Sequence, residues 1–165
     1  MTPNDATALT VVRKSANLYV MDGAVLTISS WRAKGQANIA DHPYDLAMTG
    51  LFDRRACASA PGGKQPTIIL GRKGCVLPSA ADGTSRVKGR FGAYDAMLRV
   101  AGVGEIELHL GRRRRSPVEV VVRGQWPMRD LIVVTAAFAL LVRRRDDDAT
   151  SAGAAVATIT ATTGG

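Results

Sequence analysis

The sequence predicts a mainly β domain, either an antiparallel β-barrel or a strongly curved sheet, that encloses one apolar helix near the C-terminus. Two observations support this. Several short runs alternate apolar and polar residues, and the single run Leu131–Val142 is apolar all round apart from Thr135. Alternation with a period of two places one face of a strand on a core and the other in water. A helix without a polar face must be covered by protein or by lipid.

The first half of the chain contains short apolar runs separated by turn residues. Asp22–Gly23 lies between two of them, and an Asp-Gly pair flanked by apolar runs favours a tight hairpin. The stretches 32–43 and 52–65 show only weak patterns, so nine or ten strands are clear. In this half we predict strands at 8–12, 18–21, 24–31, 44–48, 66–70 and 85–91.

The alternation is clearest between residues 96 and 123. Glu105, Glu107 and His109 alternate with the apolar positions of one run, which predicts a buried face and a wetted face. The apolar positions of the three runs are Ala96, Leu98 and Val100, then Ile106, Leu108 and Leu110, then Val118, Val120 and Val122.

The helix is predicted over about 128–143. Pro127 suits the first turn, where its missing N–H is not needed, and Asp130 complements the positive end of the helix dipole. We predict a flexible N-terminus at 1–7, a β-rich domain at 8–145 that includes the helix, and a disordered tail at 146–165. The tail is rich in Thr and Ala and can bury little apolar surface.

The charge balance points to polyanionic partners. The formal net charge is +8, and Asp146, Asp147 and Asp148 are the last charged residues, so removing their three negative charges leaves +11 for residues 1–145. Such a domain is attracted to nucleic acid or to an anionic membrane face. Solubility, or the codon composition of a GC-rich genome, is the alternative reason for so many arginines.

The localisation expected from the sequence is cytoplasmic, peripheral at the inner membrane face. Cys57 and Cys75 do not have the spacing of a metal motif, and we expect both to be free thiols in a reducing compartment. No signal peptide is recognisable at the N-terminus.

Motifs for catalysis are not recognisable, so we expect no enzymatic activity, no catalytic residue, no metal and no cofactor. The sequence has neither a phosphate-binding glycine loop nor a nucleophile elbow. Glu107 and His109 could act as an acid–base pair or as two metal ligands, but a solvated strand face is the favoured interpretation.

Two arginine runs are the candidate anion- and lipid-binding residues. One lies in the turn between two predicted strands and the other at the predicted helix end, and we expect them to lie close together because loops gather at the ends of a sheet. Guanidinium groups bind phosphates in a bidentate manner. The alternative is a solvated turn and a helix end that complements the dipole. The residues are Arg112, Arg113, Arg114 and Arg115, then Arg143, Arg144 and Arg145.

The order of elements resembles the tubby C-terminal-like superfamily, which includes the LURP-one-related proteins and the phospholipid scramblases. The resemblance is carried by WPMRDLIVVTAAFALLVRRR (126–145), preceded by EIELHL (105–110) and VEVVVR (118–123). It implies a closed antiparallel barrel of about twelve strands around a hydrophobic helix. It also implies binding of phosphoinositides, as tubby proteins do.

The leading functional hypothesis is a non-enzymatic, tubby-like domain that binds anionic phospholipid or another polyanion. A basic nucleic-acid-binding β domain is less favoured, because aromatic residues make up only 5% of the chain and form no stripe for stacking bases. A tail-anchored membrane protein would insert Leu131–Val142, although twelve residues span only about 18 Å of roughly 30 Å of hydrocarbon. The sequence identifies no protein partner.

Overall fold

The computed structural model describes residues 6–30, 32–50, 54–63, 65–71, 74–79, 83–87, 89–91, 94–113 and 115–163. Within these residues the chain forms thirteen strands and one helix, α1 (Arg129–Thr163). The strands are β1 (Ala6–Arg13), β2 (Leu18–Met21), β3 (Ala24–Ile28), β4 (Lys34–Ile39), β5 (His42–Thr49), β6 (Arg55–Ser59), β7 (Ile68–Gly71), β8 (Gly74–Ser79), β9 (Gly83–Val87), β10 (Gly89–Phe91), β11 (Asp95–Val100), β12 (Gly104–Leu110) and β13 (Val118–Gly124).

The strands form one antiparallel sheet in the order β10-β11-β12-β13-β1-β2-β3-β4-β5-β6-β7-β8-β9. Strands that follow one another in the chain pair, apart from β9 and β10, and β1 also pairs with β13, from Ala6 opposite Arg123 to Val11 opposite Val118. This pairing brings the beginning and the end of the β region together. Among the described residues, β9 and β10 are the two outer strands of this order. The prediction of a mainly β domain is therefore confirmed.

Predicted strands are found where large apolar residues alternate. The β2–β3 hairpin turns at Asp22–Gly23 as expected, with Gly23 at φ 76°. In β12 the side chains of Ile106, Leu108 and Leu110 are buried, whereas His109 is exposed.

Two strands lie in the stretches where the sequence pattern is weak. Strand β4 lies within 32–43 and β6 within 52–65, and both contact the helix. Their inward positions hold small residues: Ala37 in β4, and Ala56 and Ala58 in β6, all of them buried. Small residues let a strand approach the helix closely, but they give little hydrophobic contrast along the sequence.

The core is built around the first half of α1. The side chains from Leu131 to Val142 are buried, apart from a partly buried Ala139, and the helix contacts β3, β4, β5, β6, β7 and β12. Phe138 is fully buried beside Gly35 of β4. A Cβ atom added at Gly35 would lie 2.7 Å from the Thr27 carbonyl oxygen and 3.2 Å from the Phe138 ring, so only glycine fits there.

The helix is longer than the predicted 128–143. It continues to Thr163 and so includes most of residues 146–165, where a disordered tail was predicted. Alanine has the highest helix propensity, and an existing helix elongates without a second nucleation step. The small burial capacity of this segment predicts disorder, but helix propensity and elongation do not require burial. A consequence is that Arg143–Arg145 lie inside the helix, so their predicted role at the end of its dipole is wrong.

In the described part of the chain, no helix combines the length and the apolar character needed to cross a bilayer. The segment Leu131–Val142, considered above as an anchor, consists of the residues that pack in the core.

We expect Phe138→Asp to abolish cooperative folding, because an unpaired charge would be placed in the centre of the core. Urea unfolding followed by circular dichroism measures this. Phe138→Leu is the matched control and should lower the unfolding midpoint while the transition stays cooperative. A soluble Phe138→Asp protein with a cooperative transition near the wild-type midpoint would contradict this account of the core.

Candidate anion-binding cleft

An open cleft of about 700 Å³ lies at one end of the sheet, where β1 turns into β2, β3 ends and the buried half of α1 ends. Its apolar surface includes Tyr19, Ile28 and Leu141, which also belong to the core. Volumes of this order are typical of ligand pockets in proteins. The opposite end of the sheet carries the β2–β3 and β4–β5 turns and the start of the helix.

Four arginines line this cleft, which we call the basic cleft. They are Arg13 at the end of β1, Arg112 in the β12–β13 turn, and Arg144 and Arg145 in α1. Among the described lining residues Asp148 is the one carboxylate. A concave surface lined by charges of one sign focuses the field and attracts counter-ions.

The arginine run of the β12–β13 turn is largely exposed. Arg112, Arg113 and Arg115 are exposed, and Arg114 lies outside the described residues. The guanidinium carbon of Arg112 lies 6.0 Å from the centroid of the Tyr94 ring, which is within the range of a cation–π contact. These exposed guanidinium groups can reach a ligand from solvent.

Arg144 is buried and fastens the same turn to the helix. Its side chain is 4% exposed, and Nη1 donates to the carbonyl oxygens of Gly111, Arg113 and Ser116 at 2.9, 2.8 and 3.3 Å. The two predicted arginine runs therefore do lie together, as expected. Arg144 acts there by holding the shape of the turn.

Arg145 and Arg143 differ from Arg144 in position. Nη1 of Arg145 donates to the Ser29 carbonyl and Nη2 to the Arg32 carbonyl at 3.0 Å, which fixes the connection between β3 and β4. Arg143 is half-buried. The second run is thus not a uniform basic surface, since Arg144 and Arg145 bind backbone carbonyls and Arg145 also pairs with Asp146 at 3.8 Å.

Arg13 and Tyr94 were not among the predicted site residues. Arg13 is half-buried, and its Nε donates to the Ser15 carbonyl at 3.1 Å. It reaches the cleft because β1 pairs with β13, and no local signal in the sequence indicates a pairing between such distant segments.

The three acids of the predicted tail also lie at this end of the protein. Asp146 pairs with Arg54 at 3.1 Å, Asp147 accepts a hydrogen bond from the Tyr94 hydroxyl at 3.3 Å, and exposed Asp148 lines the basic cleft. The helical extension positions all three.

The Glu107–His109 pair lies on the outer face of the sheet, away from the basic cleft. His109 stands between Asp95 and Glu119 on the neighbouring strands, and a shallow depression is formed by these residues. Among the described residues, no group of three or more His, Cys, Asp or Glu side chains is arranged to hold a metal ion.

Neighbouring charges shift two carboxylates on this face in opposite directions. The hydrogen bond from Arg99, at 2.7 Å, lowers the pKa of Glu105. Hydrogen bonding and repulsion from Glu105, together with burial, raise the pKa of Glu107, although Arg123 lies 4.0 Å away. The two glutamates and two arginines form a surface ion-pair network.

No protein-family model matches the chain, and no curated protein or solved structure matches it either.

We expect Arg144→Met to lower the free energy of unfolding by about 2–4 kcal/mol, because it leaves carbonyls of the β12–β13 turn without their charged donor. Arg115→Gln removes an equal charge from an exposed position and should change stability by less than about 0.5 kcal/mol. Chemical denaturation of both variants measures the difference. Equal losses would contradict the anchoring role of Arg144.

We expect Glu107→Gln to stabilise the protein at neutral pH. A raised pKa means that the ionised form of Glu107 is disfavoured in the folded state. Ionised Glu107 therefore lowers the stability of the protein at pH values above its folded pKa. This loss of stability disappears once the pH falls below the pKa that Glu107 has in the unfolded chain. Denaturation at pH 7 and at a pH well below the ordinary carboxylate range measures this. Glu119→Gln on β13 is the charge-matched control, and a gain that persists in acid would contradict the explanation.

Proposed function

We propose that this protein is a non-enzymatic domain that binds anionic phospholipid, or another polyanion, at the cytoplasmic membrane face. The observation that carries the proposal is the convergence of four arginines from β1, the β12–β13 turn and α1 on one open cleft. Guanidinium groups bind phosphate oxygens with paired, charge-assisted hydrogen bonds.

The arginines of this region divide into two roles in the proposal. Arg112, Arg113 and Arg115 are exposed and contact the ligand, each contributing on the order of 1 kcal/mol near an anionic leaflet. Arg144 and Arg145 are tied to backbone carbonyls and hold the loops that form the cleft. Arg145 also forms an ion pair with Asp146 at 3.8 Å, which offsets part of its charge, so the exposed arginines of the turn are the ligand-contacting groups of the proposal.

The fold we infer is a sheet that curves around the helix, as in the tubby-like proteins. Helix α1 contacts both β12 and β7, which are eight steps apart in the strand order. With strands about 4.8 Å apart, a flat sheet would separate them by about 38 Å. The buried part of the helix is only about 21 Å long at 1.5 Å per residue. A single residue separates the outer strands β9 and β10 in the chain, which supports closure into a barrel.

Nucleic acid is the second polyanion that the basic cleft would attract. Non-specific binding of nucleic acid depends on neutralising phosphates, which arginines provide equally well. Stacking of bases on exposed aromatic rings is the feature that favours single strands. Among the described residues near the cleft Tyr19 is buried and Tyr94 is half-buried, which favours lipid as the ligand.

We expect the full chain to co-sediment with vesicles of phosphatidylcholine and phosphatidylserine at low salt and to be released at high salt, because surface charges are screened. Vesicles of phosphatidylcholine alone should not bind it. The double variant Arg112→Gln, Arg115→Gln should weaken binding by about tenfold or more, on the basis of about 1 kcal/mol per arginine.

Arg99→Gln is the control, since it removes an exposed arginine at the opposite end of the sheet. If Arg99→Gln weakens vesicle binding as much as the removal of one arginine from the cleft does, net charge alone drives binding. Failure of the wild type to bind anionic vesicles at low salt would contradict the proposed function.

A further inference from the structure

We infer that Tyr94 is a positioning residue of the basic cleft and that it acts through Arg112. The inference rests on the proposed function, because it concerns how the cleft is prepared for an anionic ligand. Tyr94 immediately precedes β11, and its carbonyl accepts a 2.7 Å hydrogen bond from the backbone N–H of Leu110. Leu110 is the last residue of β12, directly before the arginine-rich turn, so the tyrosine backbone is fixed relative to that turn.

The Tyr94 side chain is fixed at its other end. Its hydroxyl donates to Oδ2 of Asp147 at 3.3 Å, and Asp147 belongs to α1. The half-buried ring is therefore held between the sheet and the helix. Two independent contacts determine where the ring lies.

Arg112 lies over this ring, with its guanidinium carbon 6.0 Å from the ring centroid. Arg112 is exposed and lines the basic cleft, whereas Tyr94 is not one of the lining residues. A cation is attracted to the face of an aromatic ring. The connected series Asp147, Tyr94, Arg112 thus extends from the helix to a guanidinium group at the cleft.

The physical effect is preorganisation. A free arginine side chain samples many rotamers, and ordering them when a ligand binds reduces affinity. Stacking on Tyr94 restricts Arg112 before the ligand arrives. The tyrosine therefore raises affinity for an anion without touching it.

A double-mutant cycle tests the inference. The variants are Tyr94→Leu, Arg112→Gln and the combination of the two, with Tyr94→Phe as the conservative variant that keeps the ring and loses the hydroxyl. Binding is measured with vesicles of phosphatidylcholine and phosphatidylserine, and separately by titration with inorganic pyrophosphate. Urea unfolding of each variant establishes that binding is measured on folded protein.

We expect Tyr94→Leu to weaken binding about two- to fivefold, the range of an exposed cation–π contact. Tyr94→Phe keeps the ring and should therefore retain most of the binding affinity of the wild type. In the Arg112→Gln background, Tyr94→Leu should have no further effect, because the residue through which it acts is absent. A purely structural role of Tyr94 would instead give the same fold-loss in both backgrounds.

The outcomes separate the two proposals. If the wild type binds and Tyr94→Leu leaves binding unchanged, or weakens it equally in both backgrounds, the positioning role is overturned. The proposed function then still stands. Binding of pyrophosphate without binding of vesicles overturns the lipid ligand, and the cycle on pyrophosphate then decides the role of Tyr94. Wild-type protein that binds neither probe overturns both.

Discussion

Burial of the apolar segment Leu131–Val142 is the constraint on which the rest of the structure depends. Its side chains are covered around the helix, and burying each large one contributes about 1.5–3 kcal/mol. The strands must then come close enough to leave no void around it. That requirement explains Gly35 opposite Phe138, as well as the buried alanines of β6, because a larger residue at Gly35 would collide with the backbone and the ring.

The same constraint explains which strands could be predicted from the sequence. Strand β12 carries large inward residues such as Ile106 and Leu108, so its alternation is evident. Strands β4 and β6 face the helix with glycine and alanine, and their pattern fades where the packing is closest. The helix end could not be predicted from burial, since the segment after Asp148 continues as helix through propensity and elongation.

The candidate site was predictable only in part. The two arginine runs were expected to lie together because loops gather at the end of a sheet, and Arg144 does contact the turn, although the second run lies within α1 and not at its end. Three consecutive arginines look alike in sequence, yet Arg144 is buried while Arg143 and Arg145 are not fully so, because the helix directs each to a different side. Arg13 joins the cleft through a pairing of β1 with β13, and local patterns do not encode contacts over such a separation.

At the end of the buried half of α1, one residue contributes both to the stability of the fold and to the basic surface. Arg144 lies two residues after the apolar segment, and its guanidinium is held by carbonyls of the turn that displays Arg112, Arg113 and Arg115. These backbone contacts fix the turn, and the same guanidinium group lines the basic cleft. The contact that closes this end of the core is thus also the contact that shapes a basic surface, so a change at Arg144 affects stability and the shape of the cleft together.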